Sequence, residues 1–479
     1  MSTRRALFFS FLDRYAALVL SIAASMVIAR LLSPADIGVF SVAMVLIGFI
    51  AALRDLGAGQ YLVQEKELTP EKTRATWSVL LCAGFSVAVV VAAAAYPVSR
   101  FYDEPRILDI MLVIALNFAV NPFGSMTYAC LMREMRFDAL AIMRFGGSLA
   151  GACTSVFLAW QGHGPISLAF GSLLSTLVNA SLALYFRPKH LAWMPSWKGV
   201  REVIAFGSRI SATSIVGTLG VGAPELFLGK LQGMVAAGLF SRSSGLTSMF
   251  QRLMLDATQS VALPLFSKSR RETGDMKEPF LRTVSYVTAL GWPFFLGLMV
   301  LSFPLTHLLY GHQWDGSVDL TRLLALGMAM ALPATMCQQA LMASGRADKM
   351  LRVMGLVVAI QISCVGLGAM FGLLGAGIGV ALSQALSVPI WLVATREAVG
   401  FQWVEFFRTI RRSALLTGIT AVAPASTLVL FGLRPDSVLA PLASCTLFSA
   451  LLFVLGARWT GHPIYEEIEG LYARLRRPG

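Results

Sequence analysis

Trp77-Ser-Val-Leu-Leu-Cys-Ala-Gly-Phe-Ser-Val-Ala-Val-Val-Val-Ala-Ala-Ala-Ala-Tyr-Pro-Val98 runs for 22 residues without a charge, between Arg74 and Arg100. As a helix it covers about 33 Å, enough to cross about 30 Å of hydrocarbon. It is far longer than the roughly 10-residue alternating strands of an outer-membrane barrel, so helix is the spanning form. Outward from it, thirteen further stretches have the same character: roughly 8–30, 37–61, 107–131, 140–160, 165–186, 203–228, 235–264, 283–306, 318–343, 353–372, 375–395, 413–432 and 438–457. The expected fold class is an all-α polytopic membrane protein with about 14 transmembrane helices. Pro122, Pro293, Pro333 and Pro389 fall inside spans and mark expected kinks.

Composition agrees. The 479 residues are 56% hydrophobic and only 14% charged, with a mean hydropathy of +0.69, whereas soluble domains carry about 25% charged residues. The net charge of +13 lies between spans rather than in a patch, which excludes a nucleic-acid partner. Cys82, Cys130, Cys153, Cys337, Cys364 and Cys445 stand singly in apolar segments, so neither disulfides nor a zinc site are expected from them. His307 and His312 flank an outer loop without a carboxylate cluster in the sequence, and no metal site is expected there. Arg4 and Arg5 precede an apolar run as in a signal peptide. Asp13 and Arg14 interrupt that run and no small-residue cleavage site follows, so it is expected to be retained.

The distribution of Lys and Arg orients the drawing. With a cytoplasmic N-terminus, 27 of the 39 basic residues fall on inner segments, five on outer loops and seven within spans. That asymmetry places both termini in the cytoplasm. No connection is long enough for a soluble catalytic domain.

Internal similarity divides the chain. A shift of 200 aligns Gly38-Val-Phe-Ser41 with Gly238-Leu-Phe-Ser241, and a shift of 210 aligns Leu131-Met132, Arg136 and Asp138 with Leu341-Met342, Arg346 and Asp348. Both shifts correspond to six spans, so the repeats share one orientation. The expected organisation is an N-terminal six-helix lobe (1–186), a cytoplasmic interfacial linker (187–202), a C-terminal six-helix lobe (203–396), and a segment carrying helices 13 and 14 and a basic tail (397–479).

Five motifs carry a family likeness. Ala29-Arg-Leu-Leu-Ser-Pro-Ala-Asp-Ile-Gly-Val-Phe40 with Arg54-Asp-Leu-Gly57 resembles the opening of Wzx-type polysaccharide and oligosaccharide-lipid flippases, members of the multidrug/oligosaccharidyl-lipid/polysaccharide exporter superfamily. Pro224-Glu-Leu-Phe-Leu-Gly-Lys-Leu231, Gly238-Leu-Phe-Ser-Arg242 and Leu309-Tyr-Gly-His-Gln-Trp314 resemble later family motifs in the same order. The resemblance implies a V-shaped, two-lobed transporter of the bacterial inner membrane. It would move undecaprenyl-pyrophosphate-linked oligosaccharide to the outer leaflet, for exopolysaccharide, capsule or lipopolysaccharide O-antigen. A polysaccharide polymerase and a chain-length regulator are the implied protein partners.

Charges at bilayer depth cost at least about 2.5–3.5 kcal/mol near a helix centre, so they mark sites or partners. Arg252 lies deep in the eighth span with Asp256 one turn on. It is either a pyrophosphate ligand that exchanges Asp256 for substrate or half of a structural ion pair. Arg242, near the outer end of that span, is a second candidate ligand, with an interfacial or lobe-closing role as the alternative. Arg14 and Arg54 lie in the first two spans, which line the lobe interface in related lipid II flippases; snorkelling to headgroups is the other reading. Asp55 adjoins Arg54 but points about 100° away on a helix. Glu225, one turn inside the outer end of the seventh span, is read as simply exposed at the membrane interface, with binding of a cation or proton, or closure of an outer gate with Lys230 or Arg322, as the functional alternatives.

No cofactor is expected, and no G-x-x-x-x-G-K-[ST] loop for ATP occurs. Coupling to protons, sodium or the membrane potential remains open. A drug/cation antiporter of the same superfamily is the alternative. The excess of intramembrane arginines over carboxylates favours an anionic substrate, and the short outer loops argue against an enzyme.

Overall fold

The computed structural model describes residues 3–54, 61–62, 65, 69–188, 191, 194–433 and 437–476, with side chains omitted for 3–15, 53–54, 202, 205–216 and 471–476. Helices account for nearly all of it, and no strand occurs among the described residues. In chain order they are α1 (Thr3–Leu31), α2 (Pro34–Arg54), α3 (Pro70–Tyr102), α4 (Arg106–Arg133), α5 (Phe137–Trp160), α6 (Ile166–Tyr185), α7 (Val200–Leu231) and α8 (Met234–Phe250). After a π turn (Gln251–Leu255) come α9 (Asp256–Thr273), α10 (Lys277–Leu309), α11 (Val318–Ala331), α12 (Cys337–Ala343), α13 (Ala347–Met370) and α14 (Leu373–Val399). The chain ends in α15 (Trp403–Thr420), α16 (Val422–Phe431), α17 (Leu439–Trp459) and α18 (Ile464–Arg476).

Eleven helical stretches among the described residues are long and apolar enough to cross a membrane. The first, seventh and eighth expected spans fall on α1, on α7 and on α8 with its continuation. Side chains such as Val89, Ile378, Val429 and Leu447 are more than half exposed, an apolar exterior that lipid, not water, covers. Of the four expected proline kinks, Pro333 coincides with a break, a 3-10 turn (Leu332–Ala334) between α11 and α12. Pro122, Pro293 and Pro389 stay inside α4, α10 and α14.

The chain forms two compact units, Met1–Gly238 and Leu239–Gly479. The boundary between these units falls in the first turns of α8. Gly222 and Gly229, seven residues apart on one face of α7, lie against Val45 and Val42 of α2. The linker itself docks on α3, where Ser196 N–H donates to Ser78 Oγ at 2.8 Å and Ser78 Oγ donates back to the Ser196 carbonyl at 2.8 Å. Its Trp197 stays exposed, as an interfacial tryptophan should.

The repeat is visible in the packing. In the first unit α3 pairs with α4, α5 with α6, and α4 with α6; in the second, α10 pairs with α11, α13 with α14, and α11 with α14. These are the same pairs displaced by six spans. The turns after α4 and α12 also match. Arg136 N–H donates to the Leu131 carbonyl at 2.9 Å and Arg346 N–H to Leu341 at 3.1 Å. Left-handed residues sit at Met135 (φ 54°) and Gly345 (φ 72°), the 6→1 bond and αL residue that terminate helices.

The opening motif gains a structural explanation. Ser33 caps α2: its hydroxyl accepts from Asp36 N–H at 3.2 Å, while Asp36 Oδ2 accepts from Ser33 N–H at 3.1 Å. Pro34 occupies the first turn, where a missing N–H costs nothing. Gly38 then permits a close crossing with the start of α8. A Cβ at Gly38 would lie 1.8 Å from the Met234 carbonyl oxygen, and one at Gly238 would lie 1.9 Å from the Pro34 carbonyl oxygen. The contact is mutual and joins positions 200 residues apart, the shift read in the sequence.

One buried histidine makes stability depend on pH. His462, between α17 and α18, accepts the Ile464 N–H on Nδ1 at 3.2 Å, so its proton is on Nε2. Nε2–H faces Ser285 Oγ at 2.9 Å and Ser413 Oγ at 3.1 Å. Burial, with Arg412 nearby, pushes its pKa down to about 4 from 6.5. Between those values the unfolded chain holds more protons than the folded one. Stability is therefore complete above pH 6.5 and declines as pH falls towards 4. Thermal midpoints in detergent should fall over that range, and His462→Gln should flatten part of the decline; an unchanged slope would contradict this.

Candidate functional site

The second unit carries the described candidate arginines. Arg252 sits in the π turn that interrupts the eighth span, where Asp256 N–H bonds the Gln251 carbonyl five residues back. Packing explains the turn. Phe250 and Leu255 are five apart and both buried, Phe250 against Phe294 and Phe295 with ring centroids 5.2 Å away. In an α-helix they would point about 140° apart; the wider turn brings both onto the core and leaves Arg252, Leu253 and Met254 exposed.

The same turn redistributes the expected ion pair. No salt bridge joins Arg252 to Asp256 among the described residues. Gln251 Nε2 donates to Asp256 Oδ1 at 3.0 Å, an i,i+5 contact that a π turn favours, and Arg252 donates to Ser248 Oγ at 3.1 Å. Gln251 and Ser248 thus join the site, and the only trace of them in the sequence is the five-residue spacing of Phe250 and Leu255. Turns of this kind occur frequently at functional positions.

Arg242, about 15 Å away along the helix, is lodged against aromatic rings. Its guanidinium carbon lies 5.3 Å from the Tyr310 centroid and 5.4 Å from that of Trp314. Trp314 is fully buried, so the shelf is rigid. Cation–π contacts of this type contribute about 0.5–2 kcal/mol, which gives Arg242 a packing role in addition to its charge.

An apolar cleft of about 500 Å³ runs beside this helix, between α8, α10 and α17. Leu246, Met249 and Leu253 line it from the arginine-bearing helix, Phe294 from α10, and Leu442 and Phe453 from α17. The fourteenth span therefore completes a lipophilic trough that reaches Leu253, the residue after Arg252.

In the first unit Glu225 is half-buried in α7 and has no ion-pair partner among the described residues. The two gate cations considered for it are engaged elsewhere. Lys230 reaches Asp103 at 3.5 Å and the Phe101 carbonyl; Arg322 pairs with Asp319 at 2.7 Å and with Ser302 Oγ at 3.1 Å. Arg14 and Arg54 lie on α1 and α2 with side chains outside the described residues, and Asp55 lies outside them altogether.

Comparison with known proteins agrees with this architecture. A family model described as polysaccharide biosynthesis protein matches residues 27–319. The lipopolysaccharide biosynthesis protein WzxC of Escherichia coli is 22% identical over 386 residues, which is 79% of this chain and 78% of that protein. The succinoglycan biosynthesis transport protein ExoT of Rhizobium meliloti is 24% identical over 384 residues, 79% of this chain and 75% of that protein. The lipid II flippase MurJ, in an inward closed conformation, matches with a TM-score of 0.70 at 14% identity, covering 95% of this chain and 99% of its own. An inward-facing MATE multidrug resistance transporter matches with a TM-score of 0.66 at 12% identity, covering 80% and 94%. At those identities the two structures show the fold, and the family match goes further: over residues 27–319, more than half of its length, this chain belongs to the polysaccharide biosynthesis protein family.

Proposed function

We propose that this protein carries undecaprenyl-pyrophosphate-linked oligosaccharide repeat units across the bacterial inner membrane by alternating access, with both termini cytoplasmic. The observation that carries the reading is Arg252, exposed on a π turn whose next residue, Leu253, lines an apolar cleft. A lipid pyrophosphate needs that combination: a guanidinium that grips phosphate oxygens bidentately and stays charged, next to a trough for an isoprenoid tail. Arg242 is a second phosphate ligand in this reading, and Arg14 and Arg54 complete an arginine-lined cavity. The repeats 1–186 and 203–396 act as lobes joined by 187–202, with 397–479 contributing the wall of the lipid trough.

The protein acts as a transporter and catalyses no bond-breaking. An inside-negative potential assists outward movement of anionic charge by about 2.3 kcal/mol per charge per 100 mV, so ATP is not required. Glu225 and Asp256 are the carboxylates through which a proton or sodium ion would couple. The same fold in MATE transporters keeps a drug/cation antiporter as the competing reading.

Mass spectrometry of lipids co-purifying with the chain from its native membrane separates the two. A polyprenyl-pyrophosphate oligosaccharide is expected to be enriched and to be lost in Arg252→Ala. Enrichment of a small amphipathic cation instead would transfer the assignment to the antiporter.

A further inference from the structure

The last turn of α10 and the 3-10 turn that follows it, His312–Ser317, bring three metal-binding side chains together. His307 Nε2 lies 2.5 Å from Asp315 Oδ1, and the rings of His307 and His312 stand at 76° with centroids 4.2 Å apart. One ligand atom from each of the three lies within 4.8 Å of the others. In sequence the histidines have no carboxylate cluster beside them; the turn supplies the third donor by folding Asp315 back over the helix end.

The turn is firmly held. Gly311 takes φ 94° to reverse the chain, Trp314 is fully buried, and Ser317 Oγ donates to the Trp314 carbonyl at 2.7 Å. Phe303 packs against His307 with the rings tilted by 34° and their centroids 4.2 Å apart. The His307 side chain is mostly covered while His312 and Asp315 are exposed, so one side of the cluster opens to solvent.

We propose that His307, His312 and Asp315 bind one divalent transition-metal ion of the zinc class, with water as the fourth ligand. Two imidazoles and one carboxylate form a borderline donor set suited to zinc, unlike the all-oxygen shells of calcium and magnesium. Tetrahedral zinc at about 2.0–2.2 Å from each donor separates the donors by about 3.4 Å. The His307–Asp315 contact opens by about 1 Å to admit the ion in place of their shared proton, and the exposed His312 swings in. The ion then ties the end of α10, which Tyr310 follows, to the turn carrying Trp314; these two rings are the aromatic shelf under Arg242. Zinc would thereby stiffen the seat of that arginine from the end of the unit opposite the His462 cluster.

The test uses the full-length chain in detergent, without an affinity tag, and zinc ion alone as the probe, with magnesium in parallel. One zinc per chain by calorimetry and a zinc-dependent rise in the thermal midpoint are expected, with no response to magnesium. His312→Gln and Asp315→Asn alter exposed residues, so folding persists, and each should weaken zinc binding at least about tenfold. Equal zinc binding by the wild type and the His312→Gln/Asp315→Asn double variant would overturn the proposal. So would the absence of a zinc response in the wild type, or an equal response to magnesium.

Discussion

Arg252→Ala is expected to slow translocation of lipid-linked oligosaccharide about thirtyfold while leaving folded protein in the membrane. A hydrogen bond to a charged group contributes about 1.5–3 kcal/mol, and a loss near 2 kcal/mol corresponds to roughly that factor. Folding should tolerate the change, because Arg252 is exposed. Arg242→Ala removes a charge and also the contact with Tyr310 and Trp314, so it should lower both transport and thermal midpoint. Arg242→Lys, which keeps the charge over the rings, should recover most of the stability. The double alanine variant should be inactive. Unchanged transport in Arg252→Ala, Arg242→Ala and their combination would remove the arginines from the mechanism.

The second large effect concerns folding. Gly38→Val and Gly238→Val each place a side chain where a backbone carbonyl already stands, at 1.8 and 1.9 Å from the new Cβ. Backbone cannot turn aside as a flexible side chain does, so the helices must separate. Overpacking of this kind costs typically about 1–3 kcal/mol and sometimes more. A sharp loss of monodisperse protein is expected, with a lowered thermal midpoint in whatever survives. Gly355→Ala is the control, because a Cβ there meets nothing within 4 Å. Wild-type behaviour of both valine variants would mean that α2 and α8 do not cross at these glycines.

The sequence and the structure diverge in instructive places. Spans such as Trp77–Val98 were legible because twenty or so apolar residues in register with a bilayer admit one conformation. The repeat was legible from a few aligned residues, and its physical content is the matched turns at Met135 and Gly345 and the mutual contact of Gly38 and Gly238. The opening motif suggested family membership, yet its described residues serve architecture: Ser33 and Asp36 cap, Pro34 starts a helix, and Gly38 lets another helix approach. The packing of α7 with the first unit had a signal in the spacing of Gly222 and Gly229.

The finer site was less legible. Pairing of Arg252 with Asp256 assumed unbroken α-helical geometry. The π turn is stabilised by Phe250 and Leu255 against the core, a tertiary effect that propensity does not encode. The trough against α17 and the approach of Asp315 to His307 depend equally on how distant segments or a single turn close up.

The most direct measurement of the central claim is translocation by the purified chain in liposomes loaded with a polyprenyl-pyrophosphate oligosaccharide. A membrane-impermeant glycosidase outside trims only sugar that has reached the outer leaflet. With an imposed potential the account predicts that wild-type protein makes the inner pool accessible, and that the double arginine variant does not. A trimmed pool no larger than in protein-free liposomes, with the wild-type protein folded, would contradict it.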